Sequence, residues 1–233
     1  MSMISRILVL DGSAAGDAAC GLAACVSVGS EGAYALIAQQ KAAGKQAAEG
    51  IGLLAGQALA QAGWQAGAPL QPQLVAVVVG PGSFTGLRAS CATAAGCALG
   101  LGVPVVGVTR GEALRSVLDT EVKKADGLQG WLLVTAARKG RVFVETVTGV
   151  QAVALADWQP PEGRWLVAGD AATSLPMPAG TVLSESVTPT AEQIAAAALA
   201  RQKGELGPRE ALPLYVDPPE AKLPAAGLRS APV

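Results

Sequence analysis

The stretch "GPGSFTGLR", Gly80 to Arg88, joins an apolar run, Leu74 to Gly80, to a long Ala-rich segment. A strand, a Gly-rich turn and a helix start in succession present unpaired backbone N–H groups, which attract anions. Gly80, Gly82, Ser83, Thr85, Gly86 and Arg88 are therefore the candidate anion-binding residues. A P-loop needs Lys after its second Gly, whereas Leu87 follows Gly86 here. The dinucleotide fingerprint is met only in a looser spacing, and no acidic residue follows until Glu112. A second reading needs no ligand: the glycines make a sharp turn, Pro81 stiffens it, and Ser83 or Thr85 caps the helix. The residues alone leave both readings open.

Outward from the loop, the pattern is that of a mixed sheet. Arg6 to Leu10 is an apolar run ending in Asp11-Gly12-Ser13, a strand and a turn. Leu22 to Val28 and Tyr34 to Ala38, separated by "GSEG", complete an antiparallel meander. Helical spacing of Ile51, Leu54, Ala55, Ala58 and Leu59 predicts a helix over Lys41 to Trp64. A strand at Leu74 to Gly80, a helix over Phe84 to Leu101 and a strand in "VPVVGV" follow. That order recurs in actin-like (ribonuclease H-like) lobes and predicts an α/β chain of two lobes with mixed sheets.

The second half repeats the theme, with strands expected in "WLLVTAA", "RVFVETV", "VQAVALA" and "RWLVAGD" and a helix from Thr190 to Lys203 begun by a Thr190/Gln193 capping box. Charge and glycine rise between Gly111 and Gly130, which places a boundary there. The expected division is an N-terminal lobe over residues 1–110, a smaller lobe over 111–207 and a Pro-rich tail over 208–233, partly packed or disordered.

Composition excludes several chemistries. The 233 residues carry 17 Lys and Arg against 18 Asp and Glu, scattered rather than clustered, which argues against autonomous binding of nucleic acid. There is no His, so the commonest general base and metal ligand is missing. Cys20, Cys25, Cys91 and Cys97 match no zinc or CxxC spacing and read as buried thiols in a reducing cytosol. Arg88 to Arg110 encloses no charge, yet Ser90, Thr93, several Gly and Pro104 make it a poor membrane span.

The loop between an apolar strand and an Ala-rich helix resembles the signature of the TsaB (YeaZ) family. The resemblance extends to "ILVLDGS", with Gly12 in place of a usual Thr; to "VPVVGVTRGEAL", with Thr109 and Arg110 where Ser is more usual; to "AARKGRVFVE", with Ala136 for Asp; and to "LPLYVDPPEAK", with Asp217 for Arg. It implies an actin-like two-lobed fold and a noncatalytic, cytoplasmic subunit without catalytic or metal-binding residues. In that family the subunit supports a TsaD-type catalytic subunit in forming N6-threonylcarbamoyladenosine in tRNAs that read codons beginning with A. ATP and metal then belong to the partners, a TsaE-type ATPase joins the pair, and tRNA is met only through the complex.

The helices offer a surface for such a partner. Small residues recur at helical intervals, Ala43, Ala47, Gly50, Leu54 and Ala58 on the first and Ala92, Ala95, Gly96 and Leu99 on the second. An interface there joins the TsaD-type subunit, or a second copy of this chain as a homodimer. Such faces also serve simply to fit helices onto a sheet. The rival function is an actin-like, ATP-dependent small-molecule kinase. Against it, Asp11-Gly12-Ser13 is a fragment of one phosphate loop and "TAARKGR" lacks the Asp and glycines of the other. A peptidase reading fails for want of any group to activate a nucleophile.

Overall fold

A computed structural model of the chain describes residues 4–15, 20–44, 46–64, 67, 69–138 and 140–216. The first lobe opens with β1 (Arg6–Asp11), β2 (Cys20–Val28) and β3 (Tyr34–Ala43), followed by the short α1 (Gln46–Glu49), α2 (Ile51–Ala62), β4 (Leu74–Gly80), α3 (Phe84–Leu101) and β5 (Val105–Thr109). Its sheet has the order β3-β2-β1-β4-β5, antiparallel through the meander and parallel from β1 to β5. After α4 (Arg110–Lys124) come β6 (Leu128–Ala136), β7 (Arg141–Thr146), β8 (Gly149–Ala154), β9 (Arg164–Ala168), β10 (Val182–Leu183) and α5 (Ala191–Gln202). The second sheet, β8-β7-β6-β9-β10, repeats the first strand for strand: three antiparallel strands, then two parallel additions. The actin-like, two-lobed α/β expectation is met.

Both faces of the first sheet are covered, which explains why β4 is buried at every position and reads as an unbroken apolar run. One face, with Leu8, Leu10, Val75 and Val77, packs under α2 and α3. The other, with Ile7, Val9, Ala76 and Val78, packs on Ile194, Ala195 and Ala198 of α5. The last helix thus returns to the first lobe, although the division at 111–207 places it in the second. Its buried side chains are mostly alanine, which lets it lie close to the β-branched sheet surface. The tail behaves similarly: Leu214 N–H donates to the Val79 carbonyl at 2.8 Å, so residues up to 216 lie across the end of β4. Asp217 and the rest of the tail fall outside the described residues.

Two expected elements need correction. Lys41, Ala42 and Ala43 are paired with Leu22, Gly21 and Cys20, so β3 continues to Ala43 and the helical segment starts only at Gln46. β3 is an edge strand with half of its positions exposed, and its Gln and Lys residues imitate a helix start. The boundary expected between Gly111 and Gly130 is largely α4, begun by a capping box in which Thr109 and Glu112 bond each other's backbone N–H. Leu114 and Leu118 of this helix pack on Trp131, Leu133 and Leu166 of the second sheet, while Ala113 packs with the first. α4 is therefore a connecting layer shared by the two lobes.

Candidate functional site

The Gly80–Arg88 loop is wrapped against the turn after β1. Ser83 N–H donates to the Ser13 carbonyl at 2.8 Å, Gly86 N–H to Ser83 Oγ at 3.2 Å, and Leu87 N–H to the Ser83 carbonyl at 2.9 Å. Gly82 (φ 154°) and Gly86 are required by this approach: a Cβ would sit 1.9 Å from the Ser13 oxygen at the first and 2.0 Å from the Gly12 oxygen at the second. Gly12 is held reciprocally, its Cβ position lying 2.5 Å from the Gly86 oxygen, where the Thr usual in the resembling family has no room. Asp11 accepts from Ser13 N–H at 2.7 Å, and Ser13 is buried. Of the six anion candidates, Gly80, Gly82, Ser83 and Gly86 thus build the turn and its cap. Thr85 and Arg88 are exposed.

Arg88 lies over the Phe84 ring, 3.7 Å from its centroid, and its Nε donates to the Tyr215 hydroxyl at 2.9 Å. From this cluster α3 presents Ala92, Ala95, Gly96 and Leu99 to solvent, Leu99 with 86% of its surface exposed. The partner on α2 differs from expectation. Leu54 and Ala58 point into the core under the sheet and cannot line an outer surface. Ala43 stands on β3, and Gly50 is the N-cap of α2. Ala47 is on α1, its side chain outside the described set. The outward residues of α2 are instead Gly52, Leu53, Gly56, Gln57, Ala60 and Gln61, one side of a helix whose other side holds Ile51, Leu54, Ala55 and Ala58.

A polar hub that the sequence reading passed over lies at the first turn of α4. Four consecutive residues tie this turn to several distant parts of the chain. The Thr109 hydroxyl and Gly111 N–H, the latter at 2.8 Å, both donate to the carboxyl of Glu145 on β7. Arg110, 1% exposed, donates to Asp170 at 2.8 Å, and the same carboxylate accepts Ala136 N–H at 2.7 Å. Glu112 pairs with Arg201 of α5 at 2.6 Å and with Arg209 of the tail at 3.1 Å. Arg201 also donates to the Gly107 and Gly207 carbonyls. Hub, tail and the β7–β8 turn line a cleft of about 500 Å³.

Burial pushes the Glu145 carboxyl up to about 7, against the pull of the Thr109 hydroxyl and Gly111 N–H. Glu112 shifts the other way: burial raises it, but Arg201, the Thr109 N–H and Arg209 together hold it below the ordinary carboxylate value. A carboxyl raised on folding favours the folded state below its unfolded value and loses that contribution as pH rises through the folded one. Stability is therefore expected to fall, by up to about 3 kcal/mol, as pH rises from 4.5 through 7. Glu145→Gln, which keeps one acceptor for Gly111 N–H, flattens that slope. Urea titrations of both proteins across this range check it.

Cys25 and Cys91 are buried and Cys20 and Cys97 half-buried, all as free thiols. Burial raises Cys25 to about 12 and Cys91 to about 11, leaving them protonated at neutral pH. Among the described residues no three His, Cys, Asp or Glu side chains gather as a metal site, and no helix is long and apolar enough to cross a membrane.

Comparison with known proteins agrees with this architecture. An uncharacterized Pseudomonas aeruginosa protein with similarity to peptidase YEAZ is 22% identical, with 92% of this chain and 100% of that chain covered and a TM-score of 0.64. YeaZ from Pseudomonas aeruginosa matches at 22% identity, covering 91% and 100%, again with a TM-score of 0.64. These likenesses carry the fold. Among curated proteins none matches the sequence. A family model, described as TsaD, tRNA N6-adenosine threonylcarbamoyltransferase, matches residues 35–198, which include the glycine loop, the α3 face and the hub apart from Arg201 and Arg209. With more than half of its length matched on a fold duplicated lobe for lobe, the chain belongs to the TsaD family.

Proposed function

We propose that this chain is the noncatalytic, TsaB-type subunit of the family, working in t6A formation by binding and supporting a TsaD-type catalytic subunit. The observation that carries this reading is the outer surface of α2 and α3, where Leu53 is 67% and Leu99 86% exposed. A large aliphatic side chain held in water between Ala and Gly neighbours is a surface made for close helix packing. Fully burying Leu99 is worth roughly 2 kcal/mol, the size of one hot-spot contribution to a complex. A TsaE-type ATPase joins the pair, tRNA is met through the assembled complex, and the setting is the cytoplasm.

The noncatalytic assignment draws support from the turn at Asp11. An actin-like enzyme needs this turn open to a nucleotide phosphate, but Gly12 and Ser13 are buried beneath Gly82 and Gly86. The residues here do not fit a nucleotide or a metal, and no reaction step is assigned to them. Reconstitution tests the reading: tRNA, the threonylcarbamoyl donor and the TsaD- and TsaE-type subunits are expected to form t6A only when this chain is added. Modification at an equal rate without it, or t6A made by this chain alone, refutes the proposal. Calorimetry with ATP and magnesium is expected to show no binding to the isolated chain.

A further inference from the structure

The cluster at the start of α3 is not explained by packing. The chain has only 2 Phe and 2 Tyr, and one of each, Phe84 at 54% and Tyr215 at 55% exposure, stands at the surface around a single guanidinium. The two rings are 5.9 Å apart at a tilt of 54°. The Phe84 face and the Tyr215 hydroxyl fix the plane of Arg88 and occupy its Nε edge. Its two Nη groups have no acidic partner among the described residues. A planar fork held in one orientation, with its outer edge open, matches the geometry of a carboxylate.

We propose that the docking surface on α3 continues over Phe84, Arg88 and Tyr215 and receives a carboxylate side chain of the partner subunit on Arg88. The inference rests on the partner reading above and adds the chemistry of its recognition. Charge along the chain favours a different protein as the occupant. From residue 50 to residue 111 there is no Asp or Glu, so neither α2 nor α3 offers a carboxylate. A second copy docked through α2 and α3 would bring Arg88 no carboxylate from those two helices, the neighbouring one being Glu49 on the short α1. RNA is also a poor match: Arg88 is the one cation between Lys45 and Arg110, and phosphate binding draws on several charges together. Tyr215 makes the tail part of this surface, since its neighbour Leu214 is fixed to β4 through Val79.

Affinity for the TsaD-type subunit, measured at low and raised salt with the full chain, tests the inference. Arg88→Gln is expected to weaken binding roughly 10- to 100-fold and to remove most of the salt dependence. Arg88→Lys, which cannot present a fork, should still lose about tenfold. Tyr215→Phe, which frees the guanidinium without removing it, should lose a few-fold. Unchanged circular dichroism confirms that these surface variants fold. If the wild-type pair forms and Arg88→Gln binds equally well, the carboxylate inference is overturned while the partner reading stands. If no wild-type complex forms, both fall. If Arg88→Gln affects only tRNA binding or only self-association of the isolated chain, the inference is likewise overturned.

Discussion

Gly86→Ala is expected to destabilise the protein by about 4 kcal/mol or more, a large share of the roughly 5–15 kcal/mol that holds a protein folded. The new Cβ would lie 2.0 Å from the Gly12 carbonyl oxygen, and neither backbone has room to yield. Gly86 is in the first turn of α3, its N–H held by the Ser83 cap, while Gly12 follows a central strand whose residues Leu8 and Leu10 are wholly buried. Gly82→Ala meets the Ser13 oxygen at 1.9 Å with the added strain of φ 154° and should be at least as damaging. Gly96→Ala is the control from the same helix. Nothing lies within 4 Å of that position, so the change should stabilise by up to ~1 kcal/mol through helix propensity. Urea unfolding of the three variants separates the outcomes. A stable Gly86→Ala protein removes the packed-turn account of the loop.

Leu99→Asp is expected to lower affinity for the TsaD-type subunit more than 100-fold while changing the stability of the isolated chain by no more than about 0.5 kcal/mol. The separation of effects follows from exposure: at 86% accessibility the side chain supports nothing within its own fold. In a closely packed interface, however, a charge at this point is buried without a partner, and the Leu anchor is lost as well. Leu54→Asp should behave oppositely and abolish folding, because Leu54 is in the core beneath the sheet. Light scattering on the mixed subunits, beside a thermal melt of each variant alone, reads both quantities. Equal affinity of Leu99→Asp and wild type removes the outer α3 surface as the docking site.

What could be read from the residues divides by the range of the interactions. β1, β2, β4, α3 and α5 are legible because each carries its own period, end signals or unbroken apolar run. Ser83, one of two hydroxyls offered as the helix cap, fills that role. α4 was legible too, since Thr109-Arg110-Gly111-Glu112 is a capping-box spacing, but its charged surface masks the Leu114 and Leu118 stripe. The outward side of α2 was masked, because Gly52, Leu53, Gly56 and Ala60 there are as apolar or small as the buried stripe and only Gln57 and Gln61 mark it as the wet side. The hub had no local signal. Glu145 lies 34 residues from Gly111, Asp170 lies 60 from Arg110, and Arg201 lies 89 from Glu112, so only the fold brings these charges together.

The return of α5 to the first sheet sets the order in which the molecule can be completed. As the chain leaves the ribosome, β1 to β5 can pair and collect α2 and α3 on one side. The opposite side, with Ile7, Val9, Ala76 and Val78, stays bare until Ile194 and Ala198 have been synthesised. The lobe made first is thus the lobe finished last, and a fragment ending near residue 110 would expose a β-branched sheet surface prone to aggregation.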